Sequence, residues 1–179
     1  IVCTHDGITS YGGLPELEEL YRDRFHRAPY LLISDFLREL VLKTTHANLA
    51  SFKLAGPERD VTLNNREIRI DFIPLVYRRG ITYALGITTK ESAIYFCTHC
   101  APIQKQTRSI DLSRFDLLFQ AVDSQPESLR IGMTFPEFQA QFNHVSEKTF
   151  ITGVTYQMRF TASDWTPFRL ATEGLVITF

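Results

Sequence analysis

The sequence has few cysteines and no apolar run long enough to cross a membrane as a helix. Only three of its 179 residues are cysteine, an odd number that argues against a disulfide framework and suits a reducing compartment. A membrane helix needs about 18 or more consecutive apolar residues. The first residues, Ile1 to Asp6, also lack the basic start and apolar middle of a signal peptide. We therefore expect a cytoplasmic or nuclear protein without membrane insertion.

An excess of charge of one sign is also missing. The formal net charge is −1 at pH 7, so no strong overall field draws the protein to nucleic acid or to an anionic membrane. Arginine nevertheless outnumbers lysine by 14 to 5, and its planar guanidinium favours phosphate, carboxylate and aromatic contacts. Hydrophobic residues make up 44% of the chain, which is typical of a folded protein.

Motifs of the common enzyme classes are absent from the sequence. The chain contains no GxSxG, HExxH, GxGxxG or P-loop pattern and no D-x-D-x-D calcium loop. A cysteine and a histidine can be paired on paper as a nucleophile and its base, but such pairs are recognised by geometry. We therefore expect a binding protein more than an enzyme.

Two helices and a small hairpin are predicted near the start of the chain. In LPELEELYRDRF, Pro15 lies near the helix start and apolar residues recur every three or four positions. In SDFLRELVLKTTH, Ser34 is a favourable N-cap. The strand-like pieces LASFKL and VTL, joined by the turn-rich residues 56–60, predict the hairpin. Residues 1–64 thus have the helix, helix, hairpin order of a winged-helix module.

The apolar pattern changes to strict alternation from Arg66 onward, which predicts strands. We predict a three-stranded antiparallel meander formed by REIRIDFIPLVYRRG, ITYALGITT and SAIYFCTH. Two short helices are predicted for FDLLFQAV and FPEFQAQF. Two further strands are predicted for KTFITGVTYQMRF and GLVITF. We expect residues 65–179 to form a β-rich body sharing one core with the N-terminal part. The predicted class is α+β, with two N-terminal helices and a small hairpin packed on a mainly antiparallel sheet or partly closed barrel.

The stretch IYFCTHC offers three hypotheses. Cys97, His99 and Cys100 supply part of a zinc site, which Cys3 and His5 of the similar CTHD stretch would complete. On a continuous strand, however, Cys97 and Cys100 point to opposite faces. A thiol-redox C-x-x-C site is the second hypothesis, although the residues that follow begin a helix poorly.

The third hypothesis makes these cysteines ordinary core residues, and we prefer it. Tyr95 and Cys97 then fill one side of a meander strand, Phe96 fills the other side, and His99 marks the exit. Free cysteine behaves as a small buried hydrophobic residue more often than as a ligand. No cofactor is therefore predicted, with zinc as the alternative.

Arginines and aromatic residues suggest two candidate nucleic-acid surfaces. The first helix ends in Arg22, Arg24, His26 and Arg27, but residues 14–64 carry seven basic and eight acidic residues, so this part has no net attraction for phosphates. A second surface surrounds one predicted strand and consists of Arg66, Arg69, Arg78, Arg79, Tyr77 and Tyr83. Interleaved arginines and stacking aromatics on a sheet are used by binders of single-stranded RNA and equally by protein interfaces.

The sequence favours a non-catalytic binding or assembly module that acts through protein–protein contacts. With 14 Phe and 7 Tyr, exposed aromatic area is expected, and such area suits a scaffold or a homodimer. Two alternatives remain open. One is an RNA-binding domain that uses the arginine and aromatic sheet face, and the other is a zinc or thiol-redox protein that uses the CTHC stretch.

Overall fold

A computed structural model describes residues 2–4, 12–44, 49, 52–55, 59–63, 66–77, 80–97, 110–122, 133–152 and 166–171. For residues 53–55, 59–63, 66, 76–77 and 80–81 the description covers the backbone alone. The chain divides into two units, residues 1–59 and residues 60–179.

Both helices predicted for the first unit are confirmed. Helix α1 spans Leu14–Phe25 and has a proline in its first turn and arginines in its last turn, where they suit the negative end of the helix dipole. Helix α2 spans Asp35–Thr44. The Ser34 hydroxyl accepts a hydrogen bond from the Leu37 amide at 3.3 Å, so the predicted N-cap is also confirmed.

The predicted hairpin does not form. Strand β2 (Lys53–Ala55) pairs in parallel with β1 (Tyr30–Leu32), and the bridge between Val2 and Leu32 is parallel too. Strand β3 (Arg59–Leu63) belongs instead to the sheet of the second unit. The two strands that were predicted to form one hairpin therefore belong to two different sheets.

A seven-stranded sheet forms the centre of the second unit. Its remaining strands are β4 (Arg66–Tyr77), β5 (Gly80–Thr88), β6 (Ala93–Cys97), β7 (Leu117–Ala121), β8 (Thr149–Thr152) and β9 (Arg169–Leu170). The strand order follows the chain from β3 to β9. Strands β4, β5 and β6 are antiparallel neighbours, as predicted. From β6 to β9 every neighbouring pair is parallel.

The prediction of a mainly antiparallel sheet is therefore wrong, and the fold is a mixed α/β fold. The error lies in FDLLFQAV, which was expected to be a helix but contains β7. A short apolar run has no periodicity that separates a buried strand from a buried helix. Parallel strands are covered on both faces, so their sequences lose the apolar and polar alternation that marks a half-exposed strand.

Helix α3 (Phe135–Phe142) lies in the connection from β7 to β8 and confirms the helix predicted for FPEFQAQF. Parallel neighbours need such a crossover connection. A capping box starts the helix: the Thr134 amide donates to the Glu137 carboxylate at 2.8 Å, and the Glu137 amide donates to the Thr134 hydroxyl at 3.4 Å. Phe138 and Phe142 are fully buried, so α3 covers one face of the sheet.

Side chains alternate between the two faces of this sheet. The strand residues of the main core are Leu75, Ala84, Tyr95, Cys97, Leu118 and Ile151. They pack with residues of α3 and with Phe115, whose ring centroid lies 5.7 Å from that of Tyr95. The hypothesis that Tyr95 and Cys97 are core residues on one side of their strand agrees with this placement.

The opposite face carries a row of residues at one level of the sheet. Strand register aligns Phe72, Leu85, Phe96, Phe119, Phe150 and Arg169 across six strands. Phe119 stacks on Phe150 at 5.3 Å between ring centroids, and the Arg169 guanidinium lies 5.7 Å from the Phe150 ring. Both faces of the parallel half are thus apolar, as expected for parallel strands.

Within the described part of the chain, no helix is both long enough and apolar enough to cross a membrane.

The end of α1 yields a prediction about stability. His26 follows the helix in the left-handed conformation (φ 49°, ψ 36°), which glycine adopts freely and other residues adopt at a cost. His26→Gly should therefore raise the free energy of unfolding by about 1 kcal/mol, measured by urea denaturation. Arg24→Gly, inside the same helix, should instead lower it by up to about 1 kcal/mol. Destabilisation by both variants would contradict this account.

Candidate functional site

The carboxyl edge of the parallel strands is the candidate functional site. Strands β6, β7 and β8 end at Cys97, Ala121 and Thr152, and their register brings these ends level, with Cys97 paired to Gln120 and Ala121 to Thr152. In open α/β sheets, ligands bind outside the carboxyl ends of the strands. The chain continues from these ends into residues 98–109, 123–132 and 153–165, which lie outside the described residues.

Three buried residues lie next to this edge inside the core: Tyr95, Cys97 and Gln120. We call them the Tyr95 cluster. The Tyr95 hydroxyl donates a hydrogen bond to the Gln120 side-chain oxygen at 3.2 Å. The Gln120 side-chain nitrogen donates to the Ala121 carbonyl at 2.8 Å. Tyr95 and Gln120 are both fully buried. Hydrogen bonds in a buried, low-dielectric setting hold their groups firmly, so the cluster ties the end of β6 to the end of β7.

Burial raises the pKa of Tyr95 well above its ordinary value of 10.0, and the neighbouring Cys97 raises that pKa further through electrostatic repulsion and a side-chain hydrogen bond. The phenol is therefore neutral at physiological pH and acts as a hydrogen-bond donor. Its role in the described geometry is to position the strand ends.

Two residues of the predicted arginine and aromatic surface have described side chains, and the structure does not bring them together. Arg69 forms an ion pair with Asp71, with 2.9 Å between Arg69 Nε and Asp71 Oδ1. Tyr83 pairs in register with Pro74 and lies edge-on to Phe72, with ring centroids 5.6 Å apart. Because side chains alternate along a strand, Arg69 and Tyr83 lie on opposite faces of the sheet.

The other predicted residues cannot be placed in a site. Arg66 and Tyr77 are the first and last residues of β4, and their side chains lie outside the description. Arg78, Arg79, His99 and Cys100 lie outside the described residues altogether. Of the predicted metal ligands, Cys97 and Cys3 are described, and His5 lies outside the described residues. Both thiols are buried, and neither forms a disulfide.

Metal ligands do not gather in the described part of the chain. Among those residues no group of three or more His, Cys, Asp or Glu side chains could hold a metal ion. His26 and His144 are both exposed, and they belong to different units. Cys3, the other cysteine with a described side chain, is buried in the first unit.

Comparison with known proteins gives a clear answer for the fold. No protein-family model and no curated protein matches the sequence. Several solved structures, however, resemble the chain. One is a diphosphatase from the PhnP family, similar over 100% of this chain and 70% of its own length, with 14% identity and a TM-score of 0.67. Another is unliganded yeast PDE1, similar over 84% of this chain and 55% of its own, with 9% identity and a TM-score of 0.62.

The third is the metallo-β-lactamase fold protein YhfI from Bacillus subtilis. It is similar over 91% of this chain and 66% of its own length, with 16% identity and a TM-score of 0.60. The chain thus has the fold of these metallo-β-lactamase-fold proteins and spans between about half and 70% of their lengths. The name of this fold implies a metal ion, and the described residues of this chain do not supply a ligand set for one.

The similarity corrects the functional interpretation of the sequence. A non-catalytic binding or assembly module was expected, with RNA-binding and zinc or thiol-redox functions as alternatives. The fold is instead one found among hydrolases, so the predictions of a scaffold, a protein-binding module and an RNA-binding domain are wrong. The predictions rested on the arginine and aromatic content and on the absence of familiar enzyme motifs. A fold shared with distant hydrolases does not require such motifs.

Sequence reasoning also missed Gln120. The residue was assigned to a short helix, where a glutamine is unremarkable. Its one visible signal is a polar residue inside the apolar run LLFQAV. Such a residue in a buried strand needs a hydrogen-bond partner, and here Tyr95 provides it.

Removal of the Tyr95 hydroxyl should destabilise the protein. Tyr95→Phe takes away the donor to a fully buried oxygen of Gln120, so the free energy of unfolding should fall by about 1–3 kcal/mol. The matched control is Tyr83→Phe. Because Tyr83 is only half-buried, this variant should lower the free energy of unfolding by less than about 0.5 kcal/mol. Equal losses in urea denaturation would contradict a special role for Tyr95.

Comparison of the wild type with Tyr95→Phe at different pH values gives a second test. Because the pKa of Tyr95 is higher in the folded state than its ordinary value of 10.0, the unfolded chain loses the proton first as pH rises. Stability linked to this group is therefore present below pH 10 and is lost above it. The difference in stability between wild type and Tyr95→Phe should narrow as the pH rises past 10.

Proposed function

We propose that the chain is a hydrolase of phosphate esters or phosphate anhydrides. The observation that carries the proposal is its similarity, over its whole length, to a diphosphatase. The similarity to yeast PDE1, a phosphodiesterase, supports the same chemical class. All three similar structures are less than 25% identical to this chain, so the substrate follows from experiment and not from the comparison.

The carboxyl edge of β6, β7 and β8 is the proposed place for the substrate. Cleavage of a phosphate bond depends mainly on positioning the attacking group and on stabilising the charge that develops. A catalytic group needs a rigid support, because small displacements reduce the rate strongly. The Tyr95 cluster supplies that support by joining the ends of β6 and β7 inside the core.

His99 is the residue that we propose for proton transfer in this reaction. It comes two residues after Cys97, the last residue of β6. Histidine is the side chain most often used to move protons at neutral pH. No step of the proposed reaction is assigned to a metal ion, because the described residues do not provide its ligands.

An activity assay on the purified chain tests the proposal. The substrates are bis(p-nitrophenyl) phosphate as a diester, a nucleoside diphosphate as an anhydride and p-nitrophenyl phosphate as a monoester. The reactions are run with Mn²⁺ and with Zn²⁺ in turn, and again after chelation. We expect turnover of the diester or the anhydride. The β-lactam nitrocefin is assayed in parallel. Hydrolysis of nitrocefin without hydrolysis of any phosphate substrate, or no turnover by folded protein, would overturn the proposal.

His99→Ala should lower that activity by about 10²–10⁴-fold. The matched control is His144→Ala. His144 is exposed and lies before β8, which is the amino end of a strand whose carboxyl end belongs to the candidate site. This control should keep wild-type activity. Equal losses in the two variants, with both proteins folded by circular dichroism, would show that His99 has no special part in the reaction.

A further inference from the structure

A cleft at the end of α1 is lined entirely by residues of the first unit. Its volume is about 360 Å³, which lies in the range of small-molecule sites. Its lining consists of Glu18, Arg22, His26, Arg27, Ala28 and Pro29. Three of these side chains can carry positive charge and one carries negative charge. We propose that this cleft binds a small phosphorylated molecule that also bears a hydroxyl or an amine.

The two arginines provide the phosphate-binding groups. Arg22 pairs with Asp23 across 3.2 Å, but both side chains are more than 60% exposed, and such surface pairs hold an arginine weakly. The Arg27 guanidinium lies 5.8 Å from the Phe25 ring centroid, a contact that orients the group and leaves its N–H donors available. Two planar guanidinium groups lining one cleft suit a phosphate, which accepts paired hydrogen bonds from them.

Glu18 determines the second feature of the ligand. Its carboxylate lines the same cleft as the arginines, and in the described part of the chain it forms no ion pair with them. Arg22 lies one turn further along the helix. A bare phosphate would be repelled by this carboxylate. A ligand that donates a hydroxyl or an amine to Glu18 would instead match both the acidic and the basic residues that line the cleft.

The backbone at His26 is an independent observation in favour of a binding role. His26 adopts the left-handed conformation with φ 49°, although glycine is the usual residue at this position after a helix. Strained residues of this kind cluster at ligand sites. The imidazole lines the cleft, and among the described residues it forms no hydrogen bond or ion pair. Replacing it by glycine would relieve the backbone and remove a ligand contact together.

The test measures the binding of inorganic phosphate and of glycerol phosphate by calorimetry at constant ionic strength. Glycerol phosphate should bind more tightly than phosphate. Arg22→Gln and Arg27→Gln should each weaken binding about tenfold. The matched control is Arg24→Gln, an exposed arginine of the same helix outside the cleft, and it should leave binding unchanged. Equal weakening by Arg24→Gln, or no binding to wild type at millimolar concentrations, would overturn the proposal.

Two further variants should change the affinity for phosphate in opposite directions. Glu18→Gln should strengthen the binding of inorganic phosphate, because it removes a repelling charge, and should abolish the preference for glycerol phosphate. His26→Gly should weaken binding severalfold while raising the melting temperature by about 2–4 °C. A loss of affinity in Glu18→Gln, or unchanged affinity in His26→Gly, would contradict the assignment. Because phosphate binding is the readout, failure here leaves the proposed hydrolase activity untouched.

Discussion

The parallel pairing of β6, β7 and β8 is the constraint on which the rest of the second unit depends. Each of these strands presents apolar side chains to both faces of the sheet, and each needs a crossover to reach its neighbour. One crossover holds α3, whose phenylalanines complete the main core. The same pairing places three strand ends at one edge, which is where an α/β sheet binds its ligands.

One buried polar contact inside this core links its packing to the alignment of the strand ends. Tyr95 and Gln120 are fully buried, and their hydrogen bond joins β6 to β7 close to the candidate edge. A buried polar pair adds little net stability, yet it penalises any register that separates its members. The cluster therefore selects one alignment of the strand ends, which is the fixed support that the proposed reaction requires.

Local structure was largely predictable wherever the signal was local. The spacing of apolar residues identified both helices of the first unit, Ser34 identified the start of α2, and strict alternation identified the antiparallel meander. The failures concern pairing between distant segments. LASFKL and VTL were joined into a hairpin because they are adjacent in sequence, whereas β2 pairs with β1. FDLLFQAV was assigned to a helix because its burial on two faces removes the alternation of a strand.

The sequence by itself determined the three helices, the antiparallel meander, the burial of Tyr95 and Cys97 and the absence of common enzyme motifs, because each of these depends on neighbouring residues or on composition. Only the tertiary structure decided the mixed sheet, the edge formed by three strand ends and the similarity to hydrolases. Pairing between strands far apart in the chain leaves no periodic signal in either strand. This chain and the diphosphatase are only 14% identical. What they have in common is the packing of helices and strands, which a single sequence does not display.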